Sequence, residues 1–320
     1  MSESGARPRI LFATDFSRSA EGAEVYASTL AASWGATLTV MSVLEFPPGL
    51  NPEYPVNRLY LGELMKQATR GLVDVKERIS ARGVAAQTRI ATGIPSEEVS
   101  AAAGAEGADL IVVGTVGKTG VEHVLLGSTA ERIIRTAPCP VLVIRTERSR
   151  PEQGSGTRPP VKLGRLLVPV DFSDCSLDAL EYAVLVAQRT KASLTLLHVM
   201  EPVSYGLDFT FPHPEKRELQ REAITSRLDG LVSSLASAQV TADYLLRGGL
   251  PNDSILEAAR TGSADLIVMG THGRRGLAHT FYGSVAESVL RQSQCPVLTV
   301  RSPKFHPDHH RVLTAPSLSQ

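Results

Sequence analysis

The chain has 320 residues, 42% hydrophobic and 21% charged, a length and balance that suit about two ordinary globular domains. Thirty-three basic residues offset thirty-three acidic ones, and aromatic content is only 5%, so neither a bulk electrostatic footprint for nucleic acid nor an array of base-stacking rings is present. The three cysteines, Cys139, Cys175 and Cys295, form no CxxC pair and are too few for a disulfide framework. No signal peptide and no bilayer-length apolar run is readable. The expectation is a cytoplasmic protein with neither a nucleic-acid nor a membrane partner.

In chain order, Arg9–Thr14 reads as a first strand and Ser17–Trp34, rich in alanine at helical spacing, as a helix. Ala36–Val43 is β-branched and apolar, a second strand. An irregular Pro-bearing stretch, Phe46–Pro55, precedes a long helix over about Asn57–Arg82. Val84–Ile90 is a third strand. Gly93-Ile-Pro95 opens a third helix, with proline in the first turn, where its missing N–H costs nothing. Leu110–Val113 is a buried fourth strand, followed by a glycine-bearing loop and a helix from about Thr129. Pro140–Arg145 closes the unit.

Every one of these signals returns at a constant offset of 156: Asp15 and Asp171, Gly114 and Gly270, Ser128 and Ser284, Cys139 and Cys295. Between Ala108–Val121 and Ala264–Leu277, nine of fourteen residues are identical. The chain is therefore a duplicated domain, expected at 8–146 and 164–302, with a Gly, Ser, Pro and charge-rich linker at 147–163 and a polar tail at 303–320. In the second copy Pro169 falls inside the first strand and is expected near that strand's carboxyl end, because proline cannot donate to a central ladder. His306, His309 and His310 read as part of the polar tail rather than as a metal site.

A β-α-β-α-β-α-β-α-β order predicts an α/β fold, a doubly wound five-stranded parallel sheet in each copy. Ligands of such sheets bind beyond the carboxyl ends of the strands, at the switch point. Three segments reach that edge in each copy: Asp15 or Asp171 after the first strand, Val43 or Val199 ending the second, and the glycine loop after the fourth. The loop carries Gly114, Gly117, Gly127 and Ser128, or Gly270, Gly273, Gly283 and Ser284. Glycine allows a close backbone approach, and a helix N-terminus supplies N–H donors for phosphate.

The spacing G-x2-G-x9-G-[ST], the runs Ala-Thr-Asp15-Phe-Ser17 and Pro-Val-Asp171-Phe-Ser173, and Cys-Pro-Val-Leu opening each last strand together resemble the universal stress protein family, in a tandem form covering both halves. The resemblance implies a Rossmann-like, adenine nucleotide alpha hydrolase-like domain that binds ATP, with Mg2+ beside the phosphates. By that resemblance Asp15, Val43, Asp171 and Val199 border the adenine and ribose, and Gly117, Gly127, Ser128, Gly273, Gly283 and Ser284 hold phosphates. It also implies a regulatory protein of the stress response, whose two repeats pack as an internal pseudo-dimer through their final strands and which can form a homodimer. The alternatives are a slow ATPase or autophosphorylating enzyme, and an interaction module with vestigial sites. The one evident departure is Val116, where the second copy has His272.

Several residues admit a second reading. Ser128-x-x-Glu131 and Ser284-x-x-Glu287 fit a helix capping box. A capping oxygen can accept an amide hydrogen while its hydroxyl still donates to phosphate. Asp15 and Asp171 could be turn residues or caps. Gly117-Lys118-Thr119 imitates a P-loop, but the required upstream glycine is Val112. His123 and His279 lack a legible nucleophile and orienting partner, so no catalytic residue is assigned. Lys118, Arg274 and Arg275 could neutralise phosphate or remain solvated. Cys139 and Cys295 suit core packing. Cys175 lies near a helix start, where a thiolate is favoured, but the first copy has Ser19 there, which excludes a shared redox role.

Overall fold

The computed structural model describes residues 7–45, 54–115, 126–145, 161–201, 214–273 and 283–301. The chain splits into two compact units, Met1–Lys162 and Leu163–Gln320. Unit 1 runs β1 (Arg9–Ala13), α1 (Arg18–Trp34), β2 (Thr37–Leu44), α2 (Pro55–Ala81), β3 (Ala86–Thr92), α3 (Pro95–Glu106), β4 (Leu110–Gly114), α4 (Ser128–Thr136) and β5 (Val141–Ile144). Unit 2 repeats it as β6 (Arg165–Pro169), α5 (Asp174–Thr190), β7 (Ser193–Met200), α6 (Pro214–Ser237), β8 (Ala242–Gly248), α7 (Pro251–Thr261), β9 (Leu266–Gly270), α8 (Ser284–Gln292) and β10 (Val297–Val300).

Within unit 1 the strand order is β3-β2-β1-β4-β5, and within unit 2 it is β8-β7-β6-β9-β10. The pairs inside each unit are parallel. This is the doubly wound α/β sheet expected from the alternation. The central strands are buried on both faces, as a parallel sheet between helices requires: Ile10, Leu11 and Phe12 of β1 and Leu110, Ile111 and Val112 of β4 are each at most 1% exposed. Winding goes one way from β1 through β2 to β3, then returns to β4 on the other side of β1. The switch point therefore lies between β1 and β4, whose Leu11 and Ile111 pair directly.

Local chemistry sets the element ends. Ser17 and Ser173 cap α1 and α5, their side chains accepting from the amides of Ala20 and Ser176 at 3.3 Å. Pro95 and Pro251 occupy the first positions of α3 and α7. Pro169 is the last residue of β6, where it disturbs no central ladder bond.

The capping boxes expected at Ser128 and Ser284 do not form. Gly127 and Gly283 are the N-cap residues of α4 and α8, and neither helix has a side-chain cap. The cause is upstream. The Gly127 amide donates to the Thr115 carbonyl at 2.6 Å, and the Gly283 amide to the Thr271 carbonyl at 2.8 Å. These bonds fix the chain's entry into each helix, so each serine becomes the first helical residue rather than the flanking one.

Candidate nucleotide site

At the carboxyl edge of β1, Asp15 accepts the Ser17 amide on Oδ1 at 3.0 Å, an Asx turn that leads into α1. In unit 2 the Asp171 Oδ1 accepts from the Ser173 amide at 3.0 Å and from the Ser173 hydroxyl at 2.5 Å. The turn reading of these aspartates is thus correct for one oxygen. The other is placed for a second task in unit 2: a Cβ added to Gly273 would lie 2.8 Å from Asp171 Oδ2. Asp171 and the loop after β9, distant in sequence, meet at this edge, and the missing side chain of Gly273 is what lets the carboxylate in.

Between each aspartate and its serine stands a phenylalanine in the left-handed region, Phe16 at φ 62° and Phe172 at φ 63°. Such a backbone costs a non-glycine residue on the order of 1–2 kcal/mol and persists only where the surroundings enforce it. In unit 1 the Thr14 hydroxyl oxygen accepts the Phe16 amide at 3.0 Å. The Phe16 ring presses on Gly71 of α2, where any Cβ would come within 2.7 Å of it. In unit 2 the hydroxyl is missing, because Val170 replaces Thr14. There the Arg227 guanidinium of α6 lies 3.8 Å from the centre of the Phe172 ring, and the His198 ring sits 5.0 Å from it on a tilted approach. Nδ1 of His198 is also 2.6 Å from the Val170 carbonyl, the group just before Asp171.

The structure gives the first glycine of each motif a role other than ligand approach. A Cβ on Gly114 would fall 2.5 Å from Ser19 Oγ and 2.8 Å from the Ser19 backbone. On Gly270 it would fall 2.8 Å from Cys175 Sγ and 2.9 Å from the Cys175 backbone. These glycines let α1 and α5 lie against β4 and β9. Cys175 belongs to the same contact: it is buried, and its Sγ is 3.3 Å from the Val300 carbonyl. Cys139 is likewise buried, and burial pushes the Cys295 thiol pKa up, away from thiolate chemistry.

The third glycine and its serine do reach the edge. Gly127 and Ser128 stand at the start of α4, tied to Thr115 at the end of β4, and Gly283 and Ser284 at the start of α8, tied to Thr271. Ser128 and Ser284 are exposed, and the N-cap glycine of each helix supplies no side-chain cap. Val43 and Val199 are half-buried near the ends of β2 and β7, opposite Ala91 and Arg247. In unit 2, His272 is half-buried beside the strand end and its Nδ1 is 2.9 Å from Thr271 Oγ1. Gly117, Val116, Lys118, Thr119, His123, Arg274, Arg275, His279 and the three tail histidines lie outside the described residues. Among the described residues no group of three metal-binding side chains occurs, and no helix is long and apolar enough to cross a membrane.

Sequence reasoning missed three contributors. Thr115 and Thr271 close the loop mouths, and their recurrence after Gly114 and Gly270 was a usable signal. The left-handed phenylalanines recur too, but nothing in the letter F announces φ > 0. Arg227 and His198 could not be found from the repeat, because the first copy has Gly71 and Ser42 in their places.

Two parallel α/β units, each with a carboxylate turn and an uncapped helix start at the switch-point edge, define a tandem Rossmann-like protein. The model of the universal stress protein family matches residues 7–145 and 162–301, and the chain belongs to that family. A universal stress protein of Methanocaldococcus jannaschii is 36% identical over 141 residues, spanning 44% of this chain and 83% of its own. One from Mycolicibacterium smegmatis is 27% identical over 307 residues, 94% of this chain and 99% of its own. The crystal structure of a universal stress protein from Archaeoglobus fulgidus superposes with a TM-score of 0.67 at 23% identity, covering 92% of this chain and 96% of that one, a likeness of fold.

Proposed function

We propose that each unit binds one adenine nucleotide, ATP with Mg2+, and that occupancy regulates conformation or partner choice in a stress response. The observation that carries this reading is the start of α4 and of α8. The six other helices among the described residues begin with a serine cap (α1, α5) or a proline (α2, α3, α6, α7), whereas these two begin with a bare glycine and an exposed serine, without a side-chain cap, beside the aspartate turn. Amides left without a side-chain partner at a helix's positive end suit a phosphate. Gly127, Ser128, Gly283 and Ser284 are the phosphate contacts in this reading, joined by Gly117 and Gly273. Asp15 and Asp171, with Val43 and Val199, bound the nucleoside. The aspartates are also the carboxylates at this edge suited to the water shell of Mg2+. Bound ATP would supply a charged polyphosphate for those amides to hold. Gly114 and Gly270 act behind the site, as packing glycines.

Calorimetric titration with MgATP tests it. Two sites are expected in the wild type and one in each of Gly127→Val and Gly283→Val. Saturation at about 100 times the dissociation constant adds roughly 2.7 kcal/mol to stability, readable as a thermal shift. No heat and no shift with ATP, GTP or cyclic AMP would remove the nucleotide reading.

A further inference from the structure

We propose that Arg227 and His198 are positioning residues of the unit 2 site: acting through Phe172, they hold the Asp171 carboxylate, so this site depends on α6 in a way its unit 1 counterpart does not depend on α2. The inference rests on the nucleotide reading of the site.

Phe172 separates Asp171 from Ser173, so its φ of 63° sets the direction of the carboxylate relative to α5. Rotation to an ordinary negative φ would carry Asp171 away from both Ser173 donors and from the face of Gly273. Unit 1 secures the same backbone from inside the turn, with the Thr14 hydroxyl on the Phe16 amide. Val170 cannot do this. What unit 2 has in exchange is external: Arg227 stacked on one side of the ring, His198 against it, and His198 Nδ1 on the Val170 carbonyl. The three exchanges coincide at 156-related positions, Thr14 for Val170, Ser42 for His198 and Gly71 for Arg227. Gly71 leaves room for a ring pressed directly on the helix, and Arg227 fills that room with a cation.

The test uses the full chain with MgATP as the probe, titrated calorimetrically in the Gly127→Val background to report unit 2 and in the Gly283→Val background to report unit 1. Arg227→Ala is expected to weaken binding to unit 2 by roughly tenfold while leaving unit 1 unchanged. Arg227→Lys, which keeps a cation over the ring, should recover most of it. Val170→Thr added to Arg227→Ala supplies the hydroxyl that unit 1 uses and should restore affinity as well, an outcome that mere loss of packing would not give. Unchanged unit 2 affinity in Arg227→Ala, equal loss in both units, or failure of both rescues overturns the inference. A wild type that takes up no MgATP overturns the nucleotide reading instead.

Discussion

The two units keep one frame and support it with different chemistry. In unit 1, Glu24 of α1 has a side chain only 3% exposed and is gripped by Arg78 of α2 at 2.6 Å and by Arg82, the residue that caps α2, at 2.8 Å. In unit 2 the same three positions are Leu180, fully buried, Ser234 and Ala238. Three left-handed helix ends in unit 1 are glycines, Gly35, Gly83 and Gly107; in unit 2 they are Lys191, Gln239 and Ser263, all still at positive φ. Sheet order, loop ties and cradle glycines survived duplication, whereas ion clusters, caps and braces were exchanged. The main-chain ties tolerate this, because an amide and a carbonyl meet in the same way in both units although the side chains around them differ.

The largest expected break is at Glu24. Arg78→Ala with Arg82→Ala strands a buried carboxylate and should cost about 3 kcal/mol, the low end for a broken buried pair because both arginines are partly exposed. The Glu24 hydrogen bond raises the Arg78 pKa, so the contribution of Arg78 to the clamp is present through neutral and alkaline solution and is lost as pH rises through that raised value. Importing the unit 2 set, Glu24→Leu, Arg78→Ser and Arg82→Ala, should be nearly neutral, since apolar replacement of a buried ion cluster commonly is. Urea melts followed by the chain's single tryptophan, Trp34 of α1, report this unit.

Next in size, Gly114→Ala and Gly270→Ala drive a Cβ into helix backbone and should each cost about 1–3 kcal/mol in urea unfolding. A neutral result at either position would mean that α1 or α5 can draw back from the sheet. Smallest are the helix ends. Lys191→Gly, Gln239→Gly and Ser263→Gly should each stabilise unit 2 by about 0.5–1 kcal/mol, the left-handed penalty less the entropy that glycine adds to the unfolded chain. Far-UV circular dichroism melts of the triple variant would reveal the combined gain, and no gain would show the native caps to be held by contacts worth as much as the strain.

Much of this was legible because the chain states it twice. The doubled pattern of apolar runs gave element order, sheet type and the strand edge at which Asp15 and Asp171 stand. Element limits shifted by a residue or two: the first strand ends at Ala13 rather than Thr14, and the fourth helix begins at Ser128. Gly114 has a packing duty that the sequence did not show. Its glycine requirement comes from Ser19, almost one hundred residues away in sequence, and only the packed sheet brings them together. Ser128 matched a capping box, but a carbonyl on Thr115 decided where the helix starts. The Arg227 brace had no sequence signature, because stacking on Phe172 follows from the turn and not from spacing along the chain.

The amide–carbonyl bonds from Gly127 to Thr115 and from Gly283 to Thr271 have one more consequence. Each ties the residue just after a strand to the residue just before a helix, so strand end and helix start are held together whatever length of sequence separates them. In polymer terms, doubling the length of chain between two tied points costs only about 0.6 kcal/mol. The number of residues between the tied points can therefore change in evolution or by design while the sheet and the helix that they join keep their places.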